Sequence, residues 1–170
     1  MIEEIENLIL SSSDIIKQST TLSNKIETTV KTITKCLQNE NKIILFGNGG
    51  SAADAQHIAA EFIGRFKLER KSYPAIALTT DTSILTSLSN DYSSDIIFSR
   101  QCESLVSKGD IVIGISTSGN SKNVENGIVT AKEKGAITIG LLGNDGGALK
   151  NMVDIPLIVE SSETPRIQEV

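Results

Sequence analysis

Ser116-Thr117-Ser118-Gly119-Asn120-Ser121 carries four hydroxyls within six residues. Hydroxyls gathered at the start of a helix are the donors a phosphate monoester needs when no lysine is at hand. Capping the helix that follows would occupy one of them and leave three unexplained, so the run is read as an anion-binding loop. A second run, Gly47-Asn48-Gly49-Gly50-Ser51, is small enough for backbone N–H groups to approach a ligand at the positive end of the next helix. Neither run contains the Gly-Lys-Ser/Thr of a nucleotide phosphate loop. Gly47, Gly49 and Ala52 match the loose dinucleotide pattern, but the acidic residue due about 20 positions later is missing at the end of the second strand. A third run, Gly143-Asn144-Asp145-Gly146-Gly147, reads as an ordinary turn with glycine at positive φ.

His57 is the only histidine, and Glu61 follows four residues later on the helix leaving the glycine run. That spacing puts both side chains on one face. They read either as a surface pair or as two ligands of a metal, and two protein ligands alone make a poor site. Asp54 stands where it could orient the imidazole, or simply favour the helix N-terminus as an acid.

The elements that must hold these residues follow from the apolar pattern. From Ile2 to Leu37 apolar residues recur at helical spacing (Ile5, Leu8, Ile9, then Ile15, Leu22, Ile26, Val30, Ile33), which predicts one long or two shorter helices. This segment, 1–40, has little core of its own and is expected to pack on the rest of the domain or on another subunit. Residues 41–170 then alternate strand and helix. Strands are predicted at 42–46, 74–78, 111–115, 137–142 and 155–159, with helices over about 51–64, 83–88, 94–106 and from 121 to about 134. Five nearly all-apolar strands separated by helices imply an α/β fold with a parallel sheet covered on both faces. In such a sheet ligands sit beyond the carboxyl ends of the strands, where the glycine and hydroxyl runs lie. Thr164 is expected to cap a final helix with Pro165 in its first position, and the apolar face begun by Ile167 and Val170 predicts that the natural chain continues.

Composition narrows the function further. With 170 residues and 39% hydrophobic content the chain fits one compact domain. Lys and Arg total 16 against 21 Asp and Glu, a net charge of -5 that gives no general attraction to nucleic acid or an anionic membrane. Cys36 and Cys102 are too few for a disulfide framework and are expected to be buried free thiols. Met1–Asn7 carries three glutamates without a basic region, and no apolar run approaches the ~20 residues of a membrane span. A cytoplasmic protein is the expectation.

Gly47-Asn-Gly-Gly-Ser-Ala-Ala-Asp-Ala-Gln-His57 with Ala60-Glu61 resembles the signature of bacterial sedoheptulose 7-phosphate isomerases. The resemblance continues in register through 75–83, Asn90-Asp91-Tyr92, 114–121 and Arg166-Ile-Gln-Glu-Val170. That family belongs to the sugar isomerase (SIS) domain group, and the resemblance implies its fold, a flavodoxin-like or Rossmann-like three-layer α-β-α sandwich around five parallel strands. It also implies that Ser116, Thr117, Ser118 and Ser121 hold a sugar phosphate. Asn48, Gly49, Gly50, Ser51, Glu61, Asn90, Asp91 and Gln168 would contact the substrate, and His57, Glu61 and Gln168 would ligate zinc. The family's fourth zinc ligand is a histidine about two helical turns beyond the matching glutamine, past the last residue here. Ser161-Ser162-Glu163-Thr164 departs from the aspartates common in relatives.

The activity so implied is conversion of D-sedoheptulose 7-phosphate to D-glycero-D-manno-heptose 7-phosphate, the first step of nucleotide-activated heptose synthesis, in a homotetramer. Glu61 is the candidate base for the proton that moves between C1 and C2. The alternative is a non-catalytic SIS paralogue that binds the bacterial replication initiator. Retention of Asp54, His57 and Glu61 favours the enzyme. A sugar-phosphate-sensing regulator is a third reading, but no DNA-binding domain is visible within this length.

Overall fold

The structure, a computed structural model, describes residues 1–170. Five strands form one sheet: β1 (Ile43–Gly47), β2 (Ala75–Ala77), β3 (Ile111–Ser116), β4 (Ile137–Gly143) and β5 (Ile155–Val159). All neighbours are parallel and the order is β2-β1-β3-β4-β5. Each predicted strand is present, with bounds shifted by a residue or two; the second is only three residues long.

β1 and β3 are buried along their whole length. Their β-branched and aliphatic residues suit a pleated surface covered on both sides. Alternate residues of β1 feed opposite cores. Ile44 and Phe46 join Val112, Phe98, Cys102, Val124 and Ile128 on one face, while Ile43 and Leu45 join Ile111, Ile113, Ala55 and Ala59 on the other. Phe46 stacks on Phe98 with ring centroids 4.8 Å apart.

The helices are α1 (Ile2–Gln18), α2 (Ser23–Gln38), α3 (Gly50–Ile63), α4 (Thr82–Asp91), α5 (Ile97–Leu105), α6 (Lys122–Glu133) and α7 (Thr164–Gln168). α4 is longer than expected because Asp81 caps it, its carboxylate accepting from the Ile84 N–H at 3.0 Å. The helix foreseen over 94–106 opens as a tight turn, Ser94–Ile96, because the Ser93 hydroxyl accepts from the Asp95 N–H instead. Thr164 is the first residue of α7 rather than its cap, and the cap residue, Glu163, makes no side-chain bond there. Pro165 fits all the same, since its missing N–H falls among those that a first turn leaves unpaired.

The N-terminal segment forms two helices joined by a short turn at Ser19–Leu22. α1 buries no residue and α2 buries only Thr29 and Cys36. Arg166 ties α1 to α7 by donating to the Leu8 carbonyl at 2.9 Å, and the Ser12 hydroxyl donates to Glu169 at 2.6 Å. Ile2, Ile5, Ile9, Leu10 and Val30 stay exposed.

Both cysteines are free and buried, as expected. Burial alone pushes the Cys102 thiol up to about 12, and burial followed by the nearby Asp110 charge raises that of Cys36. At the amino end of the sheet, Asp110 is 1% exposed and accepts from the Lys42 ammonium at 2.6 Å, the Lys42 N–H and the Ser107 N–H. Burial opposes its charge, yet these donors outweigh it and hold the carboxyl below its usual range. This polar network pins the end of the sheet opposite the glycine and hydroxyl runs.

The strand order reverses at β1, which lies between β2 and β3. A crevice therefore opens between the carboxyl ends of β1 and β3, as in other doubly wound sheets. The glycine run leaves β1 and the hydroxyl run leaves β3 on either side of that crevice.

Candidate active site

β3 ends in Ser116, 3% exposed, whose Oγ lies 2.9 Å from Ser121 Oγ and 3.5 Å from Ser118 Oγ. Three of the four hydroxyls thus converge on one point. Ser116 Oγ also accepts from the Gly119 N–H at 3.1 Å, which closes the turn. Gly119 has φ +68, and a Cβ there would run into the Gly146 backbone, so the loop requires glycine at this place. Ser121 precedes α6 but makes no side-chain capping bond. The first-turn N–H groups of α6 are left facing the same side as the hydroxyls.

The third run does more than turn the chain. Asn144, at φ 54, donates from its carboxamide to the Thr117 carbonyl at 3.1 Å, and Asn120 Oδ1 accepts from the Ala148 N–H at 2.9 Å. The loop after β4 therefore braces the hydroxyl loop after β3. Gly146 and Gly147 do take the expected positive φ, +85 and +52.

On the other side of the crevice Gly49 adopts φ 55 and α3 starts at Gly50. A Cβ on Gly50 would collide with the Gln168 carboxamide, which lies directly over it. Gln168 is held there by its neighbour Ile167, buried against Gly143, where a side chain would leave no room. Asn48 reaches across to Asn123 of α6, each carboxamide donating to the other at 2.9 and 3.0 Å.

His57 and Glu61 face each other one turn apart on α3, with Nε2 and Oε1 separated by 3.4 Å. Both line a cavity of about 520 Å³ together with Ser51, Thr117 and Gln168. Ile115, Leu141, Val159 and Ile167 supply apolar wall. Asp54 lines the same cavity and makes no hydrogen bond to the imidazole, which leaves it as an acid in the first turns of α3, and the carboxylate beside the ring is that of Glu61. Arg70 also reaches this wall, donating to the Phe62 carbonyl at 2.9 Å and to the Glu61 carbonyl, and stacking 4.7 Å from the Tyr73 ring. It satisfies the last carbonyls of α3 and so fixes the turn that carries Glu61.

Of the residues singled out in the sequence, Ser51, Asp54, His57, Glu61, Thr117 and Gln168 share this cavity. Asn48, Gly49 and Gly50 continue from its Ser51 wall, and Ser116, Ser118 and Ser121 from its Thr117 wall. Asn90 and Asp91 pair with each other at 2.8 Å at the end of α4, outside the lining. Pattern reading missed Asn123, Asn144 and Arg70, whose partners lie far away in the chain or behind the loops they brace.

The donor set bears on a metal as well. An imidazole nitrogen, a carboxylate oxygen and an amide oxygen line one cavity, which fits part of a zinc sphere. No third His, Cys, Asp or Glu clusters with the His57 and Glu61 pair at metal-binding distance, and the Gln168 amide lines the same cavity as a further donor.

Comparison with known proteins shows the family. The SIS domain family model matches residues 9–143. The phosphoheptose isomerase of Geotalea daltonii is 54% identical over 170 residues, covering 99% of this chain and 88% of that protein. Among solved structures, a phosphoheptose isomerase from Neisseria gonorrhoeae is 41% identical with a TM-score of 0.93 over 98% of this chain and 90% of its own. One from Francisella tularensis is 34% identical with a TM-score of 0.95, covering 99% of this chain and 90% of its own.

Proposed function

This chain belongs to the SIS-domain family of phosphoheptose isomerases, and from that premise we propose that it converts D-sedoheptulose 7-phosphate to D-glycero-D-manno-heptose 7-phosphate, opening nucleotide-activated heptose synthesis. The observation that carries the reading is the convergence of Ser116, Ser118 and Ser121 within 2.9 to 3.5 Å at the start of α6, across the crevice from a cavity lined by Glu61.

The phosphate dianion is accepted by those hydroxyls, by Thr117 and by the N–H groups of α6, none of which needs a positive side chain. Anchoring the distant phosphate turns the reaction at C1 and C2 into a positioned, effectively intramolecular step. The carbon chain then runs toward the glycine side, where Asn48, Gly49, Gly50, Ser51 and Gln168 contact the sugar hydroxyls; Asn90 and Asp91 join them by family resemblance alone, since they lie outside the cavity lining. Glu61 takes a proton from C1. The C–H electron pair becomes the C1–C2 double bond, and the C2 carbonyl electrons pass to O2, giving an enediolate. O2 then takes up a proton as O1 gives up its own, and Glu61 returns its proton to C2 as the O1 lone pair forms the C1 carbonyl, which completes the aldose. His57, Glu61 and Gln168 would hold zinc, which when bound would supply electrophilic polarisation of the substrate oxygens.

Incubation with sedoheptulose 7-phosphate and supplied zinc should yield the aldose, and stripping by a chelator should remove the rate until zinc is restored. Absence of aldose with zinc present would refute the assignment.

We also read the exposed apolar face of α1 and α2 as the contact of a homo-oligomer, a tetramer by the family reading. Light scattering should report four chains; a monomer at micromolar concentration would contradict this. No helix is long and apolar enough to cross a membrane. Phosphorylated sugars do not cross bilayers unaided, which supports the cytoplasm as the site of action.

A further inference from the structure

Asn48 and Asn123 are 75 positions apart, yet their carboxamides exchange two hydrogen bonds at 2.9 and 3.0 Å. One stands in the glycine run after β1, the other in the first turn of α6 beyond the hydroxyl run after β3. The pair therefore bridges the crevice at which the sheet reverses its strand order.

A reciprocal amide pair carries orientational information that a single hydrogen bond does not. Turning over either carboxamide alone would set oxygen against oxygen and nitrogen against nitrogen, so each fixes the other. Once paired, Asn48 retains one Nδ2 hydrogen and one Oδ1 lone pair, a donor and an acceptor with a defined direction. Asparagine has no intrinsic advantage inside a helix, and the Asn123 side chain does not serve α6; both of its recorded bonds go to the opposite loop.

We propose that Asn123 is a positioning residue for the isomerase reaction: it fixes the distance between the phosphate-anchoring loop and the glycine loop, and it aims the free donor and acceptor of Asn48 at the sugar chain. This rests on the isomerase reading of the same crevice. The loop spacing matters because the substrate is anchored at one end and reacts at the other, so a small drift of one wall moves C1 and C2 relative to Glu61.

A double-mutant cycle tests it, with Asn123→Ala, Asn48→Ala and the pair. Asn123→Ala should lower kcat/KM roughly tenfold, the worth of one or two partly exposed hydrogen bonds, with most of the loss in substrate affinity. The melting temperature should move by less than about 3 °C, because the pair is open to solvent. In the Asn48→Ala background the second substitution should cost less than about twofold, since Asn123 acts through Asn48. Fully multiplicative losses, or an unchanged kcat/KM in Asn123→Ala, would overturn the proposal. Running the same cycle on the dissociation constant for sedoheptulose 7-phosphate, with the same non-additivity expected, separates the two claims. A wild-type chain that binds but does not turn over faults the isomerase reading, while additive binding losses fault the role of Asn123.

Discussion

Glu61→Gln should lower kcat by roughly a thousandfold while the protein folds normally and KM changes by only a few fold. Glutamine keeps the volume and the hydrogen-bonding capacity of the side chain but cannot take a proton from C1. The fold should tolerate the change, because Glu61 is partly open to the cavity and the only titratable side chain beside it is His57 at 3.4 Å. Since the same side chain would hold zinc, metal content should be measured beside the rate. A variant that keeps more than about a tenth of wild-type kcat, against the usual worth of a positioned base, would remove Glu61 from the chemistry.

The second large effect is expected at the opposite wall. Replacing Ser118 and Ser121 together with alanine should raise KM for sedoheptulose 7-phosphate by roughly a hundredfold, as hydrogen bonds to a charged group are each worth about 1.5 to 3 kcal/mol. Ser116 is better left in place, because it is buried and closes the loop by accepting from Gly119. Ser121 makes no helix-capping bond, so its loss gives up only the 2.9 Å contact with Ser116, which keeps its bond from the Gly119 N–H. An unphosphorylated heptulose provides the control, since it should react equally poorly with both proteins. An unchanged KM for the phosphorylated sugar would mean that the phosphate binds elsewhere.

How far these residues could be read in advance depended on whether their partners are local. β1, β3 and β4 were legible because strands covered on both faces are written as unbroken apolar runs, such as Ile43-Ile44-Leu45-Phe46. His57 and Glu61 were legible because one helical turn separates them. The hydroxyl run stood out by density alone. Asn123 was invisible, since its pairing with Asn48 depends on β3 lying beside β1, and strand order leaves no trace in an apolar run. Asn144 looked like a turn residue because positive φ is the local signal, whereas its brace on the Thr117 carbonyl spans 27 positions. Arg70 was missed for a similar reason: it closes the end of α3 from nine residues beyond Glu61.

The N-terminal helices show the opposite case. Their apolar periodicity predicted helices correctly, but periodicity gives a face and not the surface that covers it. In the structure α2 packs Ile33, Cys36 and Leu37 on the sheet, whereas α1 is tied to α7 by Arg166 and Glu169 and leaves Ile2, Ile5, Ile9 and Leu10 exposed. Asp54 was equally ambiguous between a helix-start acid and a partner for His57, and the geometry gives the imidazole to Glu61.

A crystal structure of the protein soaked with sedoheptulose 7-phosphate would test the central claim most directly. The phosphate should lie within hydrogen-bond distance of Ser116, Ser118 and Ser121 at the start of α6, with C1 and C2 beside the Glu61 carboxylate. A phosphate bound away from those hydroxyls, or a reacting end out of reach of Glu61, would contradict it.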